Sequence, residues 1–139
     1  MHPLIPAFLT FTLAMSQRPS DVISGQYVNQ LGSNVTIKCF PDTGVLSGSY
    51  QTAVGNAGGQ YPLIGLATSC ADQPVLGFCV AWNNAVHGNT GSTTCWSGQY
   101  LANDDSLSTT WLLASQPNAQ GQVWSSNRVG ADLFQKQQR

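Results

Sequence analysis

The sequence predicts an all-β domain, and three observations predict it. Gly occurs 14 times in 139 residues, with Thr, Ser, Val and Tyr plentiful. Runs of Glu, Lys, Ala and Leu at helical spacing are missing. Turn signals recur at short, fairly even intervals, and alternating apolar and polar residues fill the gaps. A chain of 139 residues suits one domain around one core.

The elements follow in order from those signals. A first strand is expected near 22–29 and a second near 33–40, stopped by Asp42-Thr43-Gly44. The third, near 44–53, runs into the glycine-rich segment from Gly55 to Gly59, and the fourth, 60–68, ends before Asp72-Gln73-Pro74. The fifth, 75–83, gives way to His87-Gly88-Asn89, and the sixth, 91–101, to Asn103-Asp104-Asp105. The seventh, 106–114, leads through Pro117-Asn118 to Gly121, and the eighth covers 123–134. Short consecutive connections favour an antiparallel meander. Eight such strands close most simply into an up-and-down β-barrel, which leaves no open edge; a two-sheet sandwich is the alternative.

Residues 1–20 differ in character from the domain at 21–139. The stretch HPLIPAFLTFTLAMS holds an apolar run of ~10 residues that closes on Ala14 and Ser16, spaced as a small-x-small cleavage site. It has the form of a secretory signal peptide, although it lacks a Lys or Arg at the front; a loosely packed arm is the other reading. The run is too short for the ~20 residues of a membrane span, and Pro3 and Pro6 oppose one. Secretion has two further hints. Asn34-Val35-Thr36 is an N-glycosylation sequon, and Cys39, Cys70, Cys79 and Cys95 are an even number open to three pairings.

Composition also excludes functions. Only 8% of residues are charged and the net charge is -1, so no basic field exists to hold nucleic acid. No Cys-x-x-Cys occurs and His2 and His87 stand outside any metal-ligand spacing, so neither a zinc site nor another cofactor is expected.

The strand faces carry the chemistry. Thr94 and Trp96 are two apart and lean to the same side, as do Phe78, Val80 and Trp82 on the fifth strand and Thr109, Trp111 and Leu113 on the seventh. Tryptophans in strands are more often core than ligand wall. Here, however, Ser33, Tyr50, Thr52, Ser92 and Thr94 would need buried partners, and Asp132 would be a buried carboxylate with no cation beside it. An unpartnered buried hydroxyl costs roughly 1 to 3 kcal/mol, so a polar guest accounts for all of them at once.

The blocks GQYVNQLGSNVTI, GVLSGSYQTAVGNA, LGFCVAWNN, TTCWSGQY, STTWLLAS and VWSSNRVGADLF resemble, in order, the successive strands of the avidin and streptavidin family of biotin-binding proteins. The likeness runs from about residue 22 to 134 and includes all 4 tryptophans. It implies a biotin site. Asn29, Ser33 and Tyr50 would meet the ureido oxygen; Thr52 and Asp132 the ureido N–H groups; Thr94 the ring sulfur; Ser92 and the backbone of Asn56 the carboxylate. Trp82, Trp96 and Trp111 would wall the ligand. Trp124, with Leu113 beside it, would cap the site of a neighbouring subunit, which implies a homotetramer in preference to a dimer.

Some residues depart from the family pattern. Tyr27 stands where the family commonly has Trp, and a loss of packing at the closed end is the expected result. Gly58-Gly59 loosens the segment that would close over the ligand, and the connections 83–91 and 115–123 each look one residue longer than in the bacterial relative. Cys79 and Cys95 should face outward on neighbouring strands, where an exterior bridge fits, leaving Cys39 with Cys70; free thiols are the alternative.

Rival functions fare worse. An enzyme needs an activated nucleophile or an acid and base pair, and His87 in a glycine-rich turn offers neither. A lipocalin-like carrier would share the barrel but line it with apolar groups. A lectin would expose its aromatics and add acidic metal ligands.

Overall fold

In the computed structural model the described residues are 20–53, 59–118 and 122–138. They form eight strands: β1 (Gly25–Asn29), β2 (Asn34–Cys39), β3 (Val45–Gln51), β4 (Gln60–Ala67), β5 (Val75–Asn84), β6 (Gly88–Leu101), β7 (Ser106–Ser115) and β8 (Asn127–Lys136). Each pairs antiparallel with the next, and β8 returns to β1, so the sheet is a closed up-and-down barrel. The sandwich alternative is excluded. Among the described residues no helix is long and apolar enough to cross a membrane.

Alternation sets the inner face. Tyr27, Leu46, Phe78, Leu107 and Phe134 point inward and are at most 1% exposed, so one part of the lumen is packed solid with side chains. The glycines respect that crowding. A Cβ on Gly65 would overlap the Gly77 carbonyl oxygen and lie 2.6 Å from Phe78 Cα.

Closure depends on few residues. Along the seam Tyr27 stands opposite Lys136 and Asn29 opposite Phe134. Lys136 Nζ donates to the Val22 carbonyl, lies 3.5 Å from the Asp105 carboxylate and sits 5.5 Å and 5.8 Å from the ring centres of Tyr27 and Tyr100. Tyr27 therefore does not leave the closed end loose, as its substitution for Trp suggested. The smaller ring is fully buried, and its hydroxyl donates to the Ile23 carbonyl, a bond that fixes the chain entering β1.

Both bridges are formed, and no free thiol remains among the described residues. Cys39–Cys70 ties the end of β2 to the segment before β5. Cys79–Cys95 crosses the outside of β5 and β6 at directly opposed positions.

β1 starts at Gly25 and not near 22, and among the other strand ends that differ from the sequence expectation two have a visible cause. The eighth strand starts at Asn127 because Trp124–Ser126 form a 3-10 turn. Ser125 and Ser126 hydroxyls both donate to the Gln122 carbonyl, at 3.0 Å and 2.8 Å, which offers the backbone a local alternative to the ladder. The connection 83–91 is mostly strand. Its length is absorbed by a bulge, since Ala81 pairs with Thr93 but Asn83 pairs with Asn89, and Gly91 there adopts φ 71°. Asn34 of the sequon opens β2 and is exposed. The leader reading falls on residues outside those described, as do Asn56 and Gly58.

Candidate ligand-binding site

Polar groups converge where β1, β3 and β8 meet. Asn29 ends β1, and its side-chain oxygen accepts from the backbone N–H of Leu31 (3.0 Å) and Ser33 (2.9 Å), so the turn is folded around that side chain. The amide nitrogen is thereby aimed at the Tyr50 hydroxyl, 3.4 Å away. Ser33 Oγ accepts from Ala53 N–H at 3.0 Å and also hydrogen-bonds Tyr50. Asn29, Ser33 and Tyr50 are all buried and form one polar cluster. Burial pushes the Tyr50 hydroxyl up to about 12; the Ser33 hydrogen bond opposes this and the negative Asp132 adds to it. Tyr50 is therefore a neutral O–H donor at physiological pH. Thr52 lies just past β3, half-buried.

Opposite them stands a carboxylate. Asp132 on β8 is 6% exposed, and both its oxygens are engaged: Gln30 Nε2 donates to Oδ1 at 2.7 Å and Trp96 Nε1 to Oδ2 at 2.8 Å. Thr109 Oγ1 holds the Asp132 carbonyl at 2.8 Å. Neutral N–H donors thus take the place of a cation, and each carboxylate oxygen keeps capacity for another bond.

Aromatic rings fill the space between. Tyr50 stacks on Trp96 at 4.8 Å, and Phe78 stacks on Trp96 at 5.1 Å. Trp82 meets Tyr50, Tyr61 and Trp96 edge-on at 5.5, 5.1 and 6.4 Å. Its indole N–H donates to Thr94 Oγ1 at 2.8 Å, so the hydroxyl beside Trp96 is matched to the neighbouring strand's indole. Ser92 lies half-buried on the same row, 2.9 Å from Thr90 Oγ1, which in turn donates to the Trp82 carbonyl at 3.0 Å.

Trp111 shares the inward row but is only half-buried, its indole laid across Gly130, where any Cβ would overlap the ring. Trp124 is not brought to this cluster. It is 88% exposed on the 3-10 turn.

Two residues were missed by the sequence reading. Gln30 clamps the seam, accepting from Leu133 N–H at 2.9 Å while donating to Asp132; nothing in its context marks it. Tyr61, directly opposite Tyr50 on β4, is fully buried, and its hydroxyl has no hydrogen-bond partner. Its alternation with Leu63 carried the signal. Among the described residues no cluster of His, Cys, Asp or Glu could hold a metal.

A closed barrel that buries hydroxyls, an amide and a carboxylate around an aromatic cluster is an architecture that fits a small-ligand pocket. The model of the avidin family matches residues 18–137. Similar proteins include, from Gallus gallus, avidin-related protein 4/5, 36% identical over 118 residues that make up 81% of this chain and 75% of that protein. Avidin itself is 35% identical over 120 residues, 81% of this chain and 76% of its own length. Avidin-related protein 7 is 34% identical over 121 residues, or 83% and 77%. The chain belongs to the avidin family.

Proposed function

We propose that this protein binds biotin without transforming it, at the end of the barrel that carries Asn29, Ser33, Tyr50, Trp82, Thr94 and Asp132. One observation carries the reading: a buried trio of donor-bearing side chains and a buried carboxylate flank a single aromatic cluster. A cyclic urea is complementary to that arrangement. Its oxygen takes the O–H and N–H donors of Asn29, Ser33 and Tyr50, which favour charge on that oxygen, while its N–H groups find Thr52 and the Asp132 carboxylate. Thr94 lies against the ring sulfur. The ligand's carboxylate is left to Ser92 and the backbone of Asn56 near the opening. Trp82, Trp96 and Trp111 bound the bicycle and its chain, with Trp96 already covered by Tyr50 and Phe78. The unpartnered Tyr61 hydroxyl adds a further polar group in the wall.

The assembly belongs to the same proposal. Ile64, the Cys79–Cys95 bridge, Leu112 and Val129 form one continuous row across the outside of β4 to β8. Ile64, Leu112 and Val129 are 68%, 51% and 74% exposed in the single chain. An apolar band of that kind, with Trp124 near one end of β8, supports a homotetramer in which Trp124 is lent to a neighbour's site. Secretion into an oxidising compartment fits the two bridges, and glycosylation at Asn34 fits its exposure.

The test is displacement of a biotin-competing dye. Biotin should displace it at one equivalent per subunit, and neither retinoid nor sugar should. Failure of biotin to compete would overturn the reading and return a lipocalin-like carrier to consideration, although the lumen of such a carrier is mostly apolar.

A further inference from the structure

We infer that the Cys79–Cys95 bridge governs how long ligand stays bound, by pinning the strand pair that carries Trp82; the inference rests on the biotin reading above. The bridge sits one position from each of two inward pairs, Phe78 with Trp96 and Val80 with Thr94. Beyond them the ladder fails. Ala81 pairs with Thr93, and the next pair is Asn83 with Asn89, so Trp82 alone faces three residues of β6. Its backbone has no regular strand opposite it and is held by the Thr90 hydroxyl at 3.0 Å, while its indole is held by Thr94 at 2.8 Å.

A bulge with a positive-φ glycine, Gly91, is the place where this hairpin can slide or open. Slippage by one residue would turn Thr94 outward and strip Trp82 of its partner. The bridge prevents it. It lies on the outer face and closes a loop of sequence separation 16 that contains Trp82, the bulge, the turn at 85–87, Ser92 and Thr94. Cys79 and Cys95 are thus positioning residues. The second bridge makes the control: Cys39–Cys70 closes a loop of separation 31 between the end of β2 and the segment before β5, away from Trp82 and the bulge.

The experiment compares the full chain with two double variants, C79V/C95V and C39V/C70V, at equal subunit number by native mass spectrometry. Valine keeps the exterior row apolar. Dissociation of biotin, followed by exchange against excess free ligand, should speed up about tenfold or more in C79V/C95V with little change in association. C39V/C70V should melt at lower temperature yet keep the wild-type dissociation rate. Equal dissociation rates in wild type and C79V/C95V would overturn the inference, as would equal acceleration in both variants, which would mean a general loss of stability. If the unaltered protein fails to bind biotin, the functional reading falls separately. The pin is then read from amide exchange between Ala81 and Thr94: faster exchange in C79V/C95V than in C39V/C70V upholds it, and equal exchange ends it.

Discussion

Asp132 is a buried charge supported by Gln30 and Trp96, and its removal should therefore have two separable effects. Asp132→Ala should weaken biotin binding by about 1.5 to 3 kcal/mol, the range for hydrogen bonds to a charged group, and should cost about 1 to 3 kcal/mol of stability because the buried Trp96 indole N–H is orphaned. Calorimetry reads the first and thermal melting the second; unchanged binding would count against the assigned role. Gly130→Ala should act through Trp111, whose ring would be displaced by the new methyl group. Intrinsic fluorescence should shift and biotin affinity fall while the fold persists. Tyr50 gives a pH signature. Its folded ionisation is raised from 10.0 to about 12, so its contribution to stability is complete below pH 10 and disappears as pH climbs toward 12. Tyr27 is raised in the same direction, first by burial and then by Asp105. Melting temperature should hold to about pH 10 and then drop, and Tyr50→Phe should reduce but not abolish the drop. At this scale the sequence showed most of the residues that the fold brings together. Inward parity placed Thr94, Trp96 and Trp111, and the family likeness placed Asn29, Ser33 and Asp132. Gln30 was invisible, because a glutamine in a turn carries no periodicity and its partners lie about a hundred residues away.

Strand order and identity were legible because turn residues and alternation agree along the whole chain. Strand ends were not. Ser125 and Ser126 compete locally for the Gln122 carbonyl, and a bulge hides inside what reads as a loop at 83–91. Pairing of the cysteines needed the register: Cys79 and Cys95 had to be shown opposite each other before a bridge could be chosen over thiols. The same register makes Gly65→Ala a test of the β4 and β5 contact. Backbone atoms of Gly77 and Phe78 block the added carbon, so one strand must move. A loss of about 1 to 3 kcal/mol is expected from the denaturant midpoint, and a neutral result would mean the strands yield freely. Cys39→Val with Cys70→Val removes a covalent loop of separation 31 and should lower stability by up to about 3 to 4 kcal/mol.

For the molecule as a whole, exposure of Ile64, Val129 and Trp124 points outward to further copies of itself. Native mass spectrometry should give four subunits and one biotin per subunit if the proposed assembly is right. Trp124→Ala should loosen both properties together; if ligand stoichiometry and subunit number are untouched, Trp124 is only a surface residue. The last consequence concerns time. The first strand finds its second neighbour only when residues 134–136 arrive, since Tyr27 and Asn29 pair with Lys136 and Phe134. During synthesis the nascent polypeptide can zip hairpin after hairpin, but Gln30 has no carboxylate to grasp until Asp132 emerges from the ribosome. The polar cluster around Asp132 therefore comes together only when the eighth strand docks, and a chain without that strand leaves Gln30 and Trp96 reaching for a carboxylate that is not there.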